Sequence, residues 1–334
     1  MRPPTYLLPV IVLAQFCCTS LWFASNGVLS QLSEAFQLPV SALEHLTSGV
    51  QLGFIVGTLL FAFFTIADRF SPSKVFFACA IAGALTNLSM LWSENTYTTL
   101  VVSRFLTGFF LAGIYPVGMK VAADYYDKGL GKSLGYLVGA LVLGTAFPHF
   151  VSIFSLAIPW QGLLTVTSVV AAAGGSLMLI LVPDGPFRKK ALQLDFKAIG
   201  KVFKQPDFRR AALGYFGHMW ELYAFWAFLP LFLEGYKSYE PAAFNSAFWS
   251  FLIIAIGSLG CVLGGLASQY VGSKKVAVVA LTLSGMCCIV SPWCFELGEP
   301  IFLGFLVCWG LFVIADSPMF STLVAKSTAP SNKG

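Results

Sequence analysis

The chain has 334 residues, 57% of them apolar and only 10% charged, with a formal net charge of +5. A soluble protein carries about 25% charged residues, so soluble, disordered and nucleic-acid-binding classes are excluded. The positive balance reads instead as a membrane-orientation signal. Eight cysteines (Cys17, Cys18, Cys79, Cys261, Cys287, Cys288, Cys294 and Cys308) lie inside apolar runs without paired metal spacing. They read as small buried hydrophobes, and no metal or cofactor is expected.

About 20 apolar residues are needed for a helix to cross the bilayer core. Ten charge-poor runs meet that length: 6–30, 46–67, 75–92, 98–122, 133–154, 160–182, 211–233, 244–268, 276–295 and 301–324. The first run is too long for a signal-peptide core and lacks a small-residue cleavage site, so it stays as a helix. On it, Gln15, Thr19, Trp22 and Asn26 fall at i, i+4, i+7 and i+11, which makes one polar stripe. That stripe is expected to face a watery cavity, the other reading being interhelical hydrogen bonding. The fourth run carries Arg104 near mid-depth. Residues 133–183 lack Lys, Arg, Asp and Glu and are split into two crossings by the Ile158-Pro159 turn.

The seventh run carries His218 and Glu221, three apart and so on one helix face. Burial disfavours a carboxylate's charge and a nearby cation favours it, the opposing terms that a proton switch requires. Glu221, His218 and Asp316 of the tenth run are therefore the candidate coupling groups, with a static interhelical ion pair as the other reading. Asp316, in the inner half of its span, can equally serve as a hydrogen-bonding group at the cytoplasmic gate. Trp220, Tyr223, Trp226 and Trp309 supply aromatic walls suited to flat or cationic solutes. Gly257, Cys261, Gly264 and Ser268 form a small-residue face on the eighth run, expected to pack on Gly135 and Gly139 of the fifth.

Taking the loops alternately, eighteen of the twenty Lys and Arg fall on one side. Arg104 lies within a span and Lys237 alone lies on the other side. By the positive-inside rule both termini are cytoplasmic. Trp92, Trp160 and Trp293 fall at the outer ends of spans, where an aromatic belt is expected. The stretch 183–210 holds eight Lys and Arg and reads as a linker, with a short amphipathic helix over 194–203. It divides residues 1–182, with six spans, from residues 211–334, with four.

The two sides of the linker resemble each other at an offset of about 201 residues. The loop after the second span contains Phe64, Asp68, Arg69, Ser71 and Lys74; the loop after the eighth contains Gly265, Gln269, Tyr270, Gly272, Lys274 and Lys275. Gly108, Phe110 and Pro116 of the fourth span recur as Gly310, Phe312 and Pro318 of the tenth. Parallel repeats of this kind mark transporters made of two similar halves.

On these residues the chain resembles the major facilitator superfamily, whose motif after the second span is G-x-x-x-D-R-x-G-R-[RK] and which carries an Arg-x-x-x-Gly pattern in the fourth. Asp68, Arg69 and Lys74 match the first copy, Gly265, Gly272, Lys274 and Lys275 the second, and Arg104 with Gly108 the span-four pattern. The resemblance implies an all-α membrane bundle of two pseudo-symmetric halves, with those loop residues as a cytoplasmic gate. It also implies twelve spans, so the chain reads as C-terminally truncated before an eleventh. Arg104, Gln15, Thr19, Trp22, Asn26, Trp220, Tyr223, Trp226 and Trp309 are the expected lining of a substrate cavity.

No phosphate-cradling loop and no nucleophile or metal constellation supports an enzyme. The expected function is alternating-access transport of a small organic solute, coupled to protons or another ion, by a monomer in the plasma or inner membrane. The alternative is a non-transporting sensor or truncated remnant. In a cysteine-free background, single cysteines at positions 94, 237 and 299 should label from outside and ones at 190 and 274 should not; the reverse pattern would invert the topology.

Overall fold

The computed structural model describes residues 4–39, 41–126, 130–154, 158–188 and 202–327. Both chain ends and most of the basic linker, with all but residues 202 and 203 of the expected helix over 194–203, lie outside them. So do Arg2, Lys128, Lys189, Lys190, Lys197, Lys201 and Lys333. The chain divides into two compact units, Met1–Gln193 and Leu194–Gly334.

In the first unit the helices are α1 (Leu7–Thr19), α2 (Leu29–Phe36), α3 (Ala42–Phe63), α4 (Ile66–Arg69), α5 (Pro72–Leu88), α6 (Tyr97–Leu111), α7 (Tyr115–Tyr125), α8 (Leu130–Ser152) and α9 (Trp160–Leu181). In the second they are α10 (Pro206–Tyr239), α11 (Ser246–Val271), α12 (Ser273–Val290), α13 (Glu299–Ala315) and α14 (Ser317–Ser327). Their starts are written locally. Thr96 and Thr99 form a reciprocal capping box on α6, the Asn245 side chain accepts from Phe248 N–H at 3.0 Å on α11, and Pro72 and Pro206 open α5 and α10.

Eight helices among the described residues are long and apolar enough to cross a membrane: Ala42–Phe63, Pro72–Leu91, Tyr97–Tyr125, Gly135–Ser152, Trp160–Leu181, Ser246–Val271, Ser273–Glu296 and Glu299–Val324. Each lies within a few residues of an expected span. The expected count of ten is corrected at the other two places. The first run breaks after α1, only 13 residues long, and passes through a turn and a 3₁₀ segment, Asn26–Val28, into α2. The seventh forms a 34-residue helix whose apolar character is diluted by His218, Glu221 and several Trp and Tyr. Leu59, Ile180, Leu259 and Ile289 are among many large apolar side chains left exposed, a surface that only lipid or another helix would cover.

Within each unit one helix pair is locked by glycine. A Cβ built on Gly108 of α6 would lie 1.9 Å from the Val50 carbonyl oxygen of α3, and one on Gly310 of α13 would lie 2.3 Å from the Ile253 carbonyl oxygen of α11. The internal repeat is thus a repeat of packing. It also relocates the small-residue face of the eighth span. Gly260 and Gly264 approach the Leu311 and Ala315 carbonyls, and Cys261 donates to Ile314 O at 3.6 Å, so this face meets α13. Both locked helices end at matching breaks. α6 gives way at residues 112–114 just before Pro116, and α13 at Asp316 just before Pro318, because proline cannot continue the hydrogen-bond ladder.

Replacing Gly108 with Ala should destabilise the protein by about 1–3 kcal/mol by forcing α3 and α6 apart. Gly285→Ala, whose Cβ meets nothing within 4 Å, should be neutral or slightly stabilising. Melting of the two variants in detergent checks the contrast, and equal melting temperatures would count against the lock.

Candidate functional site

The break after α1 leaves backbone carbonyls without helical partners inside a buried region. Thr19 and Ser20 turn their hydroxyls back onto Gln15 O and Cys17 O at 2.9 and 2.7 Å, competing with the ladder at the point where it stops. The freed carbonyls are taken by Arg104. Its side chain donates to Leu21 O at 3.0 Å and to Trp22 O, and it is 0% exposed. The span-four arginine therefore holds the broken first span.

The rest of the span-one stripe is buried among helices of the same unit. Asn26 donates to Thr47 Oγ1 of α3 at 3.2 Å, and the Trp22 ring packs at 4.7 Å from that of Phe54. A Cβ on Gly144 of α8 would strike Thr19 Oγ1, and one on Gly118 of α7 would strike Gln15 Oε1. The Gln15 amide has no hydrogen-bond partner among the described residues.

In the second unit His218 and Glu221, expected to share one helix face, turn to different helices. His218 Nδ1 lies 2.8 Å from Asp316 Oδ1, both side chains 1% exposed. The imidazole forms a triangle of rings with Tyr215 and Phe320, whose centroids lie 6.1 and 5.8 Å from it and 5.9 Å from each other. α10 presents His218 toward the α13–α14 break because Met319 and Phe320 pack there with Tyr215 and Ala277. Glu221 instead accepts from Ser284 Oγ at 3.2 Å, Cys288 Sγ at 3.3 Å and Trp309 Nε1 at 3.5 Å. It lines a cavity of about 220 Å³ with Trp220, Phe225, Phe228, Cys288 and Trp309. The Trp309 ring packs at 4.8 Å from that of Phe225, Tyr223 meets Trp226 edge-on at 5.9 Å, and Trp220 is exposed.

At the gate motif, Asp68 pairs with Lys120 of α7 at 2.8 Å, and Lys120 reaches Asp124 at 3.5 Å. Arg69 Nε donates to Thr65 Oγ1 at 3.1 Å, while Lys74 is exposed. Sequence reasoning missed the strap that closes this cluster. Ser71 donates to Asp184 at 2.6 Å, Arg188 to Phe70 O at 2.8 Å, and Phe187 N–H to Asp124 O at 3.0 Å. The only sequence signal for it was an acid four residues before an arginine just after the sixth span. In the second copy Gly272 sits at φ +86° between α11 and α12, where a side chain would be strained. A Cβ on Gly265 would meet nothing within 4 Å, and Lys274 and Lys275 are exposed. No His, Cys, Asp or Glu group among the described residues is arranged to hold a metal.

Comparison with known proteins places this geometry. The family model described as Major Facilitator Superfamily matches residues 11–334. The putative transporter AraJ of Escherichia coli (strain K12) is 22% identical over 313 residues, covering 88% of this chain and 73% of that protein. The sphingosine-1-phosphate transporter SPNS2 of Mus musculus is 27% identical over 173 residues, 47% of this chain and 29% of that protein. Two solved structures share the fold. A bacterial homologue of the human lysosomal transporter Spinster has a TM-score of 0.70 at 17% identity, over 98% of this chain and 76% of that one. A point mutant of the nucleoside transporter NupG has a TM-score of 0.72 at 17% identity, over 97% and 83%. The family and these relatives are transporters rather than enzymes or sensors.

Arg104→Leu should cost about 2–4 kcal/mol, since it strands two buried carbonyls that had a charged donor. Arg104→Lys, with one cationic donor group left, should recover part of that loss. Thermal unfolding in detergent reads both, and an Arg104→Leu protein as stable as wild type would sink the capping role.

Proposed function

Because the chain belongs to the major facilitator superfamily, we propose that it moves a small organic solute by alternating access of its two halves. The driving force is a proton gradient, and His218 with Asp316 is the coupling pair. The observation that carries this reading is an imidazole and a carboxylate 2.8 Å apart, almost without solvent exposure, at the break between α13 and α14. Intramembrane ionisable groups are costly and mark proton or substrate pathways, and imidazole is the side chain whose ordinary titration lies nearest neutrality.

The pair ties α10 to the break in the tenth span. Uptake of a proton at the pair weakens that tie and frees α14 to move against α13. One proton taken up on one side and released on the other then accompanies each reorientation. The carboxylate of Glu221 is directed away from this pair, so it stands outside the coupling step. The basic loops lie on the cytoplasmic side of the cell membrane, and the monomer is the working unit.

The solute is found first. Purified protein is screened by thermal unfolding against nucleosides, sphingosine-1-phosphate, sugars and organic cations, since a ligand at about 100 times its Kd stabilises by roughly 2.7 kcal/mol. Uptake of the stabilising compound is then followed in proteoliposomes with and without an imposed pH gradient. Asp316→Asn, a fixed mimic of the protonated acid, should exchange solute yet fail to concentrate it. An Asp316→Asn protein that still concentrates solute with unchanged pH dependence would remove the pair from the mechanism. Loss of accumulation in Glu221→Gln instead would move the role to Glu221.

A further inference from the structure

The cavity beside Glu221 has no part in the coupling step, and its chemistry points to a ligand. Glu221 is the one charged side chain in its wall, and apart from Cys288 the rest of the lining is aromatic or aliphatic. No basic side chain answers that charge. α11 and α13 carry no Lys, Arg or His, and α12 has only Lys274 and Lys275 at its start, about 20 Å along the axis from Cys288. On α10 itself, Arg210 and Lys237 are eleven residues before and sixteen after Glu221, about 16 and 24 Å away along the axis. His218 is engaged with Asp316.

Among the described residues the carboxylate meets neutral donors alone, Ser284 at Oε2 and Cys288 and Trp309 at Oε1. An ionised carboxylate offers about four acceptor sites, so Oε2 keeps room for one more donor. A charge at this depth without a counter-charge is costly and marks a substrate or ion path. The walls around it are fixed by one another. The Trp309 ring is wedged against Phe225, Phe305 and Phe232 at centroid distances of 4.8, 5.7 and 6.5 Å, and Phe232 stacks on Phe302 at 5.9 Å. Trp220, 78% exposed, stands at the rim. Aromatic faces and a carboxylate share a preference for cations.

We propose that the Glu221 cavity is a recognition site for a protonated aryl-alkyl amine, with its ammonium on Glu221 Oε2 and its ring among Phe225, Phe228 and Trp309. Pockets for drug-sized ligands start at about 300 Å³, so a cavity of about 220 Å³ suits one ring on a short chain. That the bound amine is also the solute moved rests on the transport reading; the binding itself does not. A carboxylate that only joined helices by accepting neutral donors could be replaced by an amide without loss, and that substitution separates the two roles.

Purified protein in detergent, with no gradient, is titrated with radiolabelled phenylbutylamine, a cation at neutral pH, and with phenylbutanol, its uncharged counterpart of the same size. Wild type should bind the amine saturably and roughly tenfold or more tighter than the alcohol. Glu221→Gln should lose that preference with phenylbutanol binding unchanged, and Asp316→Asn should keep it. Equal affinity of wild type for the two probes would overturn the site without recourse to any variant. So would an amine preference that survives Glu221→Gln, or one lost in Asp316→Asn instead, which would place the cation at the buried pair. Because binding is read without a gradient, a protein that binds the amine through Glu221 yet never carries it refutes the transport reading and leaves the site standing.

Discussion

A broken helix and a buried arginine are each expensive inside a membrane protein, and in the first unit each cancels the other. The chain leaves the helical ladder after Thr19, exposing carbonyls that in hydrocarbon cost several kcal/mol apiece if unmet. Arg104 has donors that are costly to bury for the same reason, and it gives its two Nη groups to Leu21 O and Trp22 O. Because α6 carries Arg104 and is pressed against α3 through Gly108, the break is fixed relative to the most tightly packed helix pair of the unit. The turn after α1 then delivers Ala24, Val28 and Leu32 into an apolar cluster with Leu46, Met90, Leu100 and Leu163. Removing the cap would release that cluster with it.

The second unit breaks at a different place in the repeat, since α10, the counterpart of the broken first span, is continuous. Its break lies in the tenth span, and the group facing it is His218, whose partner is the carboxylate of Asp316. On the proposed reading, then, the two units hold breaks at non-equivalent places of the repeat, one in span one capped by a guanidinium and one in span ten facing a histidine–carboxylate pair.

Much of this was legible in the sequence, and the failures have a common cause. Eight spans emerged within a few residues because hydropathy sums over side chains, and those helices are apolar almost all round. The break after α1 was invisible to that sum, since the residues around it are as apolar as the rest and its cap comes from a residue more than eighty positions away. His218 and Glu221 were matched because helix spacing puts them on one face. A shared face spans about two neighbouring helices, however, and each residue found a better partner on a different one. The small-residue face of the eighth span was read correctly as a close-contact surface, but which helix it approaches is decided by packing that no single segment encodes.

The gate loops show what the repeat retains and what it lets vary. Both copies reverse the chain through a residue at positive φ, Thr65 at +49° in the first and Gly272 at +86° in the second. Only the first keeps its acid. Asp68 ties the loop to Lys120, and the strap through Asp184 and Arg188 adds a second layer, whereas Gln269 and Tyr270 occupy those positions in the second copy and Tyr270 is 88% exposed. Backbone reversal is a geometric requirement of any short loop between antiparallel spans, so both halves must meet it. An ion pair at a half-wet membrane edge contributes little to stability on its own, and a loop that sheds it loses no fold. The charges that remain on Asp68, Lys120, Asp124, Asp184 and Arg188 all act within the first unit. The gate loop tied by ion pairs and the strap therefore belongs to the first unit, and its counterpart in the second is left with an exposed Tyr270 and no acid.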